Sequence, residues 1–216
     1  MKALEEYKLI IWDMDGTLYH QPPFRRKMAL VLVKGLLLRP RRWQEILILW
    51  NYRRLRERWD EKDVGEDLDL RQYEAVGKRC KVTKDRVRET VEYWMQQIPL
   101  SYLRDYRNEW AAKEILRLSE KGVRNVIYSD YPAADKAKAL EIAVEHCFCS
   151  GDPQIGCMKP NPRGILYILE ELKVSPEEAV MIGDRYEKDG KAALSAGIDH
   201  MILGKAGAPA SFGSGK

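Results

Sequence analysis

Apolar residues follow two different rhythms along this chain. Short apolar blocks rich in β-formers occur at residues 8–12, 123–128, 147–149, 179–182 and 200–203, and each ends at a polar or turn residue. They read as buried strands. Between the later ones, residues 107–122, 132–144, 162–172 and 188–196 carry apolar positions at helical spacing. Trp110, Ala111, Ile115 and Leu118 mark the first of these, and Gly122 and Gly197 stand where left-handed helix stops belong. "SPEE" at 175–178 adds one helical turn before the fourth strand. Strand and helix alternate, which predicts an α/β fold with a Rossmann-like parallel sheet covered on both faces.

Residues 19–105 follow only the helical rhythm. Helices are expected over 24–38 and 43–59, separated by Pro40, then over 70–80, and after Thr83 until Pro99 ends the last. The second carries two stripes, Ile48, Tyr52, Leu55 and Trp59 beside Trp43, Leu47 and Trp50, and this broad apolar surface has to pack on something. The division is therefore a core of residues 1–18 and 106–204, an all-helical insertion at 19–105, and a flexible tail at 205–216 made of small residues, glycine and proline.

Composition narrows the class. With 216 residues, 45% of them hydrophobic, the chain can bury a real core. Its longest apolar run, 28–38, is interrupted by Lys34 and falls short of the roughly 20 residues a membrane span needs. The first residues, "MKALEEYK", do not read as a secretory leader, so a cytoplasmic location is expected. Cys80, Cys147, Cys149 and Cys157 fit neither a zinc pair nor a disulfide framework. The charge is uneven: residues 19–105 hold 20 Lys and Arg against 13 Asp and Glu, a surplus of +7 within a chain of net +4. Arg25, Arg26, Arg53, Arg54, Arg56 and Arg58 belong to this basic stretch. Three readings of it stand: solvated helix faces, attraction of an anionic substrate, and contact with an acidic membrane surface or nucleic acid.

In a parallel sheet, ligands gather at the carboxyl ends of the strands, and Asp13 with Asp15, Ser129 and Asp184 all fall there. Continued extension would turn both carboxylates of "DMD" into one crevice. Such a pair is tolerated when a divalent cation binds it or when one acid is protonated.

With these positions the sequence resembles the haloacid dehalogenase-like hydrolase superfamily in four motifs, in family order. "DMDGT" is the first, "VIYSD" ends the second at Ser129, "KPNP" supplies Lys159, and "MIGDRYEKD" supplies Asp184 and Asp189. The resemblance implies a phosphatase with a helical cap of the C1 type, inserted after the first strand. Asp13 would be the nucleophile and Asp15 the general acid and base. Ser129 and Lys159 would bind phosphate, and Mg²⁺ would be held by Asp13, Asp184, the carbonyl of Asp15 and, from the second shell, Asp189. Halide-releasing relatives lack the second acid, so Asp15 points to phosphoryl transfer. Many relatives have asparagine where this chain has Asp130. Either its side chain turns away and only its N–H serves the phosphate site, or it reads a cationic part of the substrate. The expected partner is a small anionic phosphorylated metabolite, with no nucleic acid. A phosphomutase and a phosphorylation-switched or non-catalytic binding protein are the alternatives.

Overall fold

The structure, a computed structural model, describes residues 2–37, 42–59 and 63–215. Pro40, the expected break after the first cap helix, lies outside the described residues. Among the described residues six strands form one sheet in the order β3-β2-β1-β4-β5-β6. They are β1 (Leu9–Trp12), β2 (Arg124–Ser129), β3 (His146–Cys149), β4 (Ala179–Gly183), β5 (Asp199–Leu203) and β6 (Pro209–Gly213). The first five are parallel.

β1 lies in the middle and is buried throughout. Its alternate side chains enter two cores: Ile10 and Trp12 pack with Ile127 and Ile182, whereas Leu9 and Ile11 pack with Val126 and Met181. Helix α6 (Glu109–Glu120) covers the first face through Ala111, Ile115 and Leu118. On the second face, α8 (Arg163–Leu172) contributes Ile165 and Ile168, and α9 (Lys191–Ser195) contributes Ala192 and Ala193. Burial on both faces explains why the strands read as unbroken apolar runs. Register then fixes the site. Trp12 stands opposite Ile127 and Ile182, so Asp13, Ser129 and Asp184 emerge together at one edge of the sheet.

Between β1 and α6 come α1 (Gln21–Leu37), α2 (Gln44–Glu57), α3 (Leu68–Cys80), α4 (Lys84–Val91) and α5 (Ile98–Leu103). Ile48 and Tyr52 pack with Tyr73, Val76, Val87 and Val91 in a separate core. Only one of the two stripes of α2 is used in this way: Trp43, Leu47 and Trp50 stay about half exposed.

Three elements differ from the sequence reading. Pro99 does not end a helix but sits in the first turn of α5, after a π-helical segment, Glu92–Gln97. The π-helical turn carries the chain past the proline: the Ile98 N–H donates to the Tyr93 carbonyl, so the ladder is already shifted where the N–H of Pro99 is missing. Helix α7 (Ala134–Ala139) is shorter than residues 132–144, since Glu141 takes a positive φ of 54° and turns the chain. The tail expected to be flexible instead forms β6, antiparallel to β5, with Asn108 Nδ2 donating to the Gly207 carbonyl at 2.8 Å. The free edge of β5 supplies the unpaired backbone groups that this segment satisfies.

Candidate active site

The chain leaves β1 through Gly16, whose φ is +107° and on which a Cβ would lie 2.2 Å from Asp184 Oδ2. Only glycine allows that approach. Asp13, Asp184 and Asp189 each offer a carboxylate oxygen, and the three atoms lie within 4.8 Å of one another. Lys159 is buried beside them. Its Nζ donates to Asp13 Oδ1 and Asp189 Oδ1, both at 2.6 Å, and to the Tyr128 carbonyl at 3.4 Å. Thr17 Oγ1 donates to the other oxygen of Asp13 at 3.1 Å. Asp189 is tied to its own turn by the Arg185 N–H at 3.1 Å.

The charges do not balance within this cluster. Burial pushes the Asp13 carboxyl up to about 8, with Asp189 and Asp184 adding to the rise and Lys159 opposing it. Burial, with Asp189 adding, also pushes Asp184 up to about 6. Three carboxylates sharing one ammonium are short of positive charge, and their donor atoms are all hard oxygens. That set suits a hard divalent cation such as Mg²⁺ and suits zinc poorly.

Asp15 is placed differently. Its carboxylate lies outside the three-acid cluster and accepts from Lys136 Nζ at 2.6 Å and Tyr19 Oη at 2.5 Å. Burial alone would raise its pKa, but Lys136 and Tyr19 hold it below the ordinary carboxylate value. It therefore rests as a carboxylate. Asp15, Lys136 and Arg185 line one side of a chamber of about 400 Å³, and Arg25, Arg53 and Trp94 close it from the helical insertion.

Ser129 is buried at the end of β2, where its Oγ accepts from the Tyr131 N–H at 3.2 Å. The Asp130 side chain turns beneath this loop. Its Oδ1 accepts from Ser150 Oγ at 2.8 Å and from the Lys159 N–H at 3.0 Å, so it braces the two loops.

Two residues important to this geometry were missed by the sequence reading. Lys136 sits among alanines and lysines in α7, with nothing in its spacing to separate it from a solvated lysine. Arg56 belongs to the basic stretch of α2 yet is 1% exposed. It donates to Tyr52 Oη, Asp69 Oδ1, Gln72 Oε1 and the Asp130 carbonyl, tying the helical insertion to the loop after β2.

The family profile described as haloacid dehalogenase-like hydrolase matches residues 7–197. The chain belongs to this family. Solved structures share the fold of this haloacid dehalogenase-like hydrolase. A 2-haloacid dehalogenase from Pseudomonas syringae is 19% identical with a TM-score of 0.62, covering 91% of this chain and 86% of that one. L-2-haloacid dehalogenase from Xanthobacter autotrophicus is 12% identical with a TM-score of 0.59, covering 91% and 77%. At these identities the likeness is one of fold. Among curated relatives, a glyceraldehyde 3-phosphate phosphatase from Methanopyrus kandleri is 31% identical over 101 residues, and one from Pyrococcus furiosus is 33% identical over 103. Each match covers 45% of this chain, and the chain spans only 42% and 41% of those relatives' own lengths. Among the described residues no helix is long and apolar enough to cross a membrane.

Proposed function

We infer that this haloacid dehalogenase-like hydrolase is a Mg²⁺-dependent phosphomonoesterase that works through an aspartyl-phosphate on Asp13. The observation that carries the reading is the second carboxylate. Asp15 faces the chamber, while Asp13 is held behind it by Lys159 and Thr17. A departing halide needs no proton, whereas a departing alkoxide does, and Asp15 stands where that proton can be delivered. The two curated phosphatases support phosphomonoester chemistry, and their limited overlap leaves the alcohol to be determined by the chamber.

In the first half-reaction an Asp13 oxygen attacks phosphorus in line. The bond from phosphorus to the ester oxygen breaks, and protonated Asp15 gives its proton to that oxygen, so the alcohol leaves neutral. In the second, water attacks the same phosphorus and passes a proton to Asp15. The bond to Asp13 then breaks and phosphate departs. Lys136 sets the timing of the proton: phosphoryl oxygens entering the chamber compete for its ammonium, and Asp15, losing this partner, takes up a proton from solvent before the ester bond breaks. Lys159 offsets negative charge on Asp13 and on the phosphoryl group. Asp13 and Asp184 would hold Mg²⁺, with Asp189 adjoining and the Asp15 carbonyl implied by the family resemblance. Bound there, the ion supplies charge neutralisation for the approach of an anionic nucleophile to an anionic phosphate.

Phosphate release from a panel of phosphomonoesters with Mg²⁺, followed colorimetrically, tests the reading. Turnover should depend on the metal and disappear in Asp13→Asn. Equal release by wild type and Asp13→Asn would sink it.

A further inference from the structure

The chamber over Asp15 abuts a second cavity of about 210 Å³, held between α1, α2 and the π-helical segment. The two share Arg25, Met28, Arg53, Trp94 and Met95. Past these residues, among the described residues, the lining holds no acid and consists of Ala29, Leu32, Ile46, Leu49, Trp50 and Ile98. Polarity is therefore sorted along one path. Residues with carboxylate and ammonium groups line the first cavity, Arg25 and Arg53 line both, and apolar side chains line the rest of the second. Arg25 and Arg53 line both cavities, as a long side chain does when its stem lies on an apolar surface and its head on a polar one.

We propose that the substrate is an amphiphilic phosphomonoester, whose phosphoryl group lies against Asp15 and Lys136 and whose hydrocarbon chain occupies the second cavity. The proposal rests on the phosphatase reading and adds the class of alcohol. A sugar phosphate would set hydroxyls against Met28, Leu32 and Leu49 with no hydrogen-bond partner, which is costly. A methylene chain gains there by leaving water.

The wall between the cavities is built to keep its shape. Trp94 donates its indole N–H to Glu45 Oε2 at 2.5 Å. Glu45 is fully buried and also accepts from Arg42 Nε at 2.8 Å and Arg86 Nη2 at 2.6 Å. Behind the ring, Gly35 of α1 leaves room that a Cβ would take, since it would stand 2.8 Å from the ring edge. Trp94 and Met95 both come from the π-helical segment Glu92–Gln97, a distortion that frequently accompanies functional sites. Trp50 of this lining is 51% exposed.

The test is a series of straight-chain monoesters, ethyl, butyl, hexyl and octyl phosphate, kept monomeric and assayed with Mg²⁺. kcat/KM should climb by up to about fourfold per methylene until the cavity is full, the factor that corresponds to ~0.8 kcal/mol per buried methylene. In Ala29→Trp, which fills the cavity, and in Leu32→Asp, which charges it, the octyl-to-ethyl ratio should fall at least about tenfold. Each ratio is taken within one preparation, so a smaller folded fraction cancels. A flat series with Asp13-dependent turnover overturns the hydrocarbon site and leaves the phosphatase reading standing, as does a steep series that both variants preserve. No Asp13-dependent release from any phosphomonoester removes the reading beneath both.

Discussion

Arg56→Met should destabilise the protein far more than the loss of a surface charge. The guanidinium is 1% exposed and donates to Tyr52 Oη at 2.8 Å, to Asp69 Oδ1 and Gln72 Oε1 at 2.5 Å each, and to the Asp130 carbonyl. Methionine fills similar space but donates nothing. The Gln72 and Asp130 oxygens lie in buried residues, and leaving each unpaired costs about 1–3 kcal/mol. Asp69 keeps 30% of its side chain exposed, so water screens much of its loss and it adds little. The expected total is about 3–5 kcal/mol, the range for breaking a buried pair from one side. For a chain of this length that lowers the melting temperature by roughly 6–20 °C. Urea unfolding of wild type and variant, with equal slopes, gives the free energy directly. Arg56→Lys should recover only part of it, because an ammonium cannot reproduce the planar fork. A loss below about 1 kcal/mol for Arg56→Met would show that the helical insertion and the β2 loop are not held through this side chain.

Two further outcomes follow from the site. Asp130→Asn retains an acceptor oxygen for Ser150 Oγ and the Lys159 N–H, so turnover under the proposed function should stay within about threefold of wild type. Asp130→Ala should cost about 2–4 kcal/mol by stranding both donors. Equal damage in the two variants, read by unfolding and turnover together, would mean that the negative charge itself is required. In metal-free protein, folded Asp13 holds a proton up to about pH 8, whereas an ordinary Asp loses it near 3.8. This contribution to stability is therefore fully present below about pH 4 and is lost as pH rises toward 8. Mg²⁺ held by this cluster would require the carboxylate form, so adding it should stabilise the protein increasingly across that window. Melting curves with EDTA and with Mg²⁺ that stay a constant distance apart from pH 4 to pH 8 would refute the assignment of the acid cluster's proton to Asp13.

What could be read from the sequence divides along a physical line. The sheet was legible because burial on both faces writes itself as continuous apolar blocks, and the edge bearing Asp13, Ser129 and Asp184 follows from parallel register alone. β6 was not legible, because it is held by backbone pairing to an exposed edge and asks little of its side chains. Local chemistry marks Asp13 and Asp15, yet the difference between them comes from residues far along the chain: Lys159 stands against the first and Lys136 against the second. A lysine in a short helix carries no sign of the acid it will meet. Arg56 illustrates the same limit within a charged run, where eleven basic side chains at 25–58 look alike and Arg56 is taken inward by Asp69, Gln72 and a backbone carbonyl. Sequence pattern reports how a residue partitions between water and core, whereas pairing across elements is a property of the assembled fold. The paired charges that set Asp15 apart from Asp13 are of the second kind, and so is the junction where Arg25 and Arg53 join a polar chamber to an apolar one.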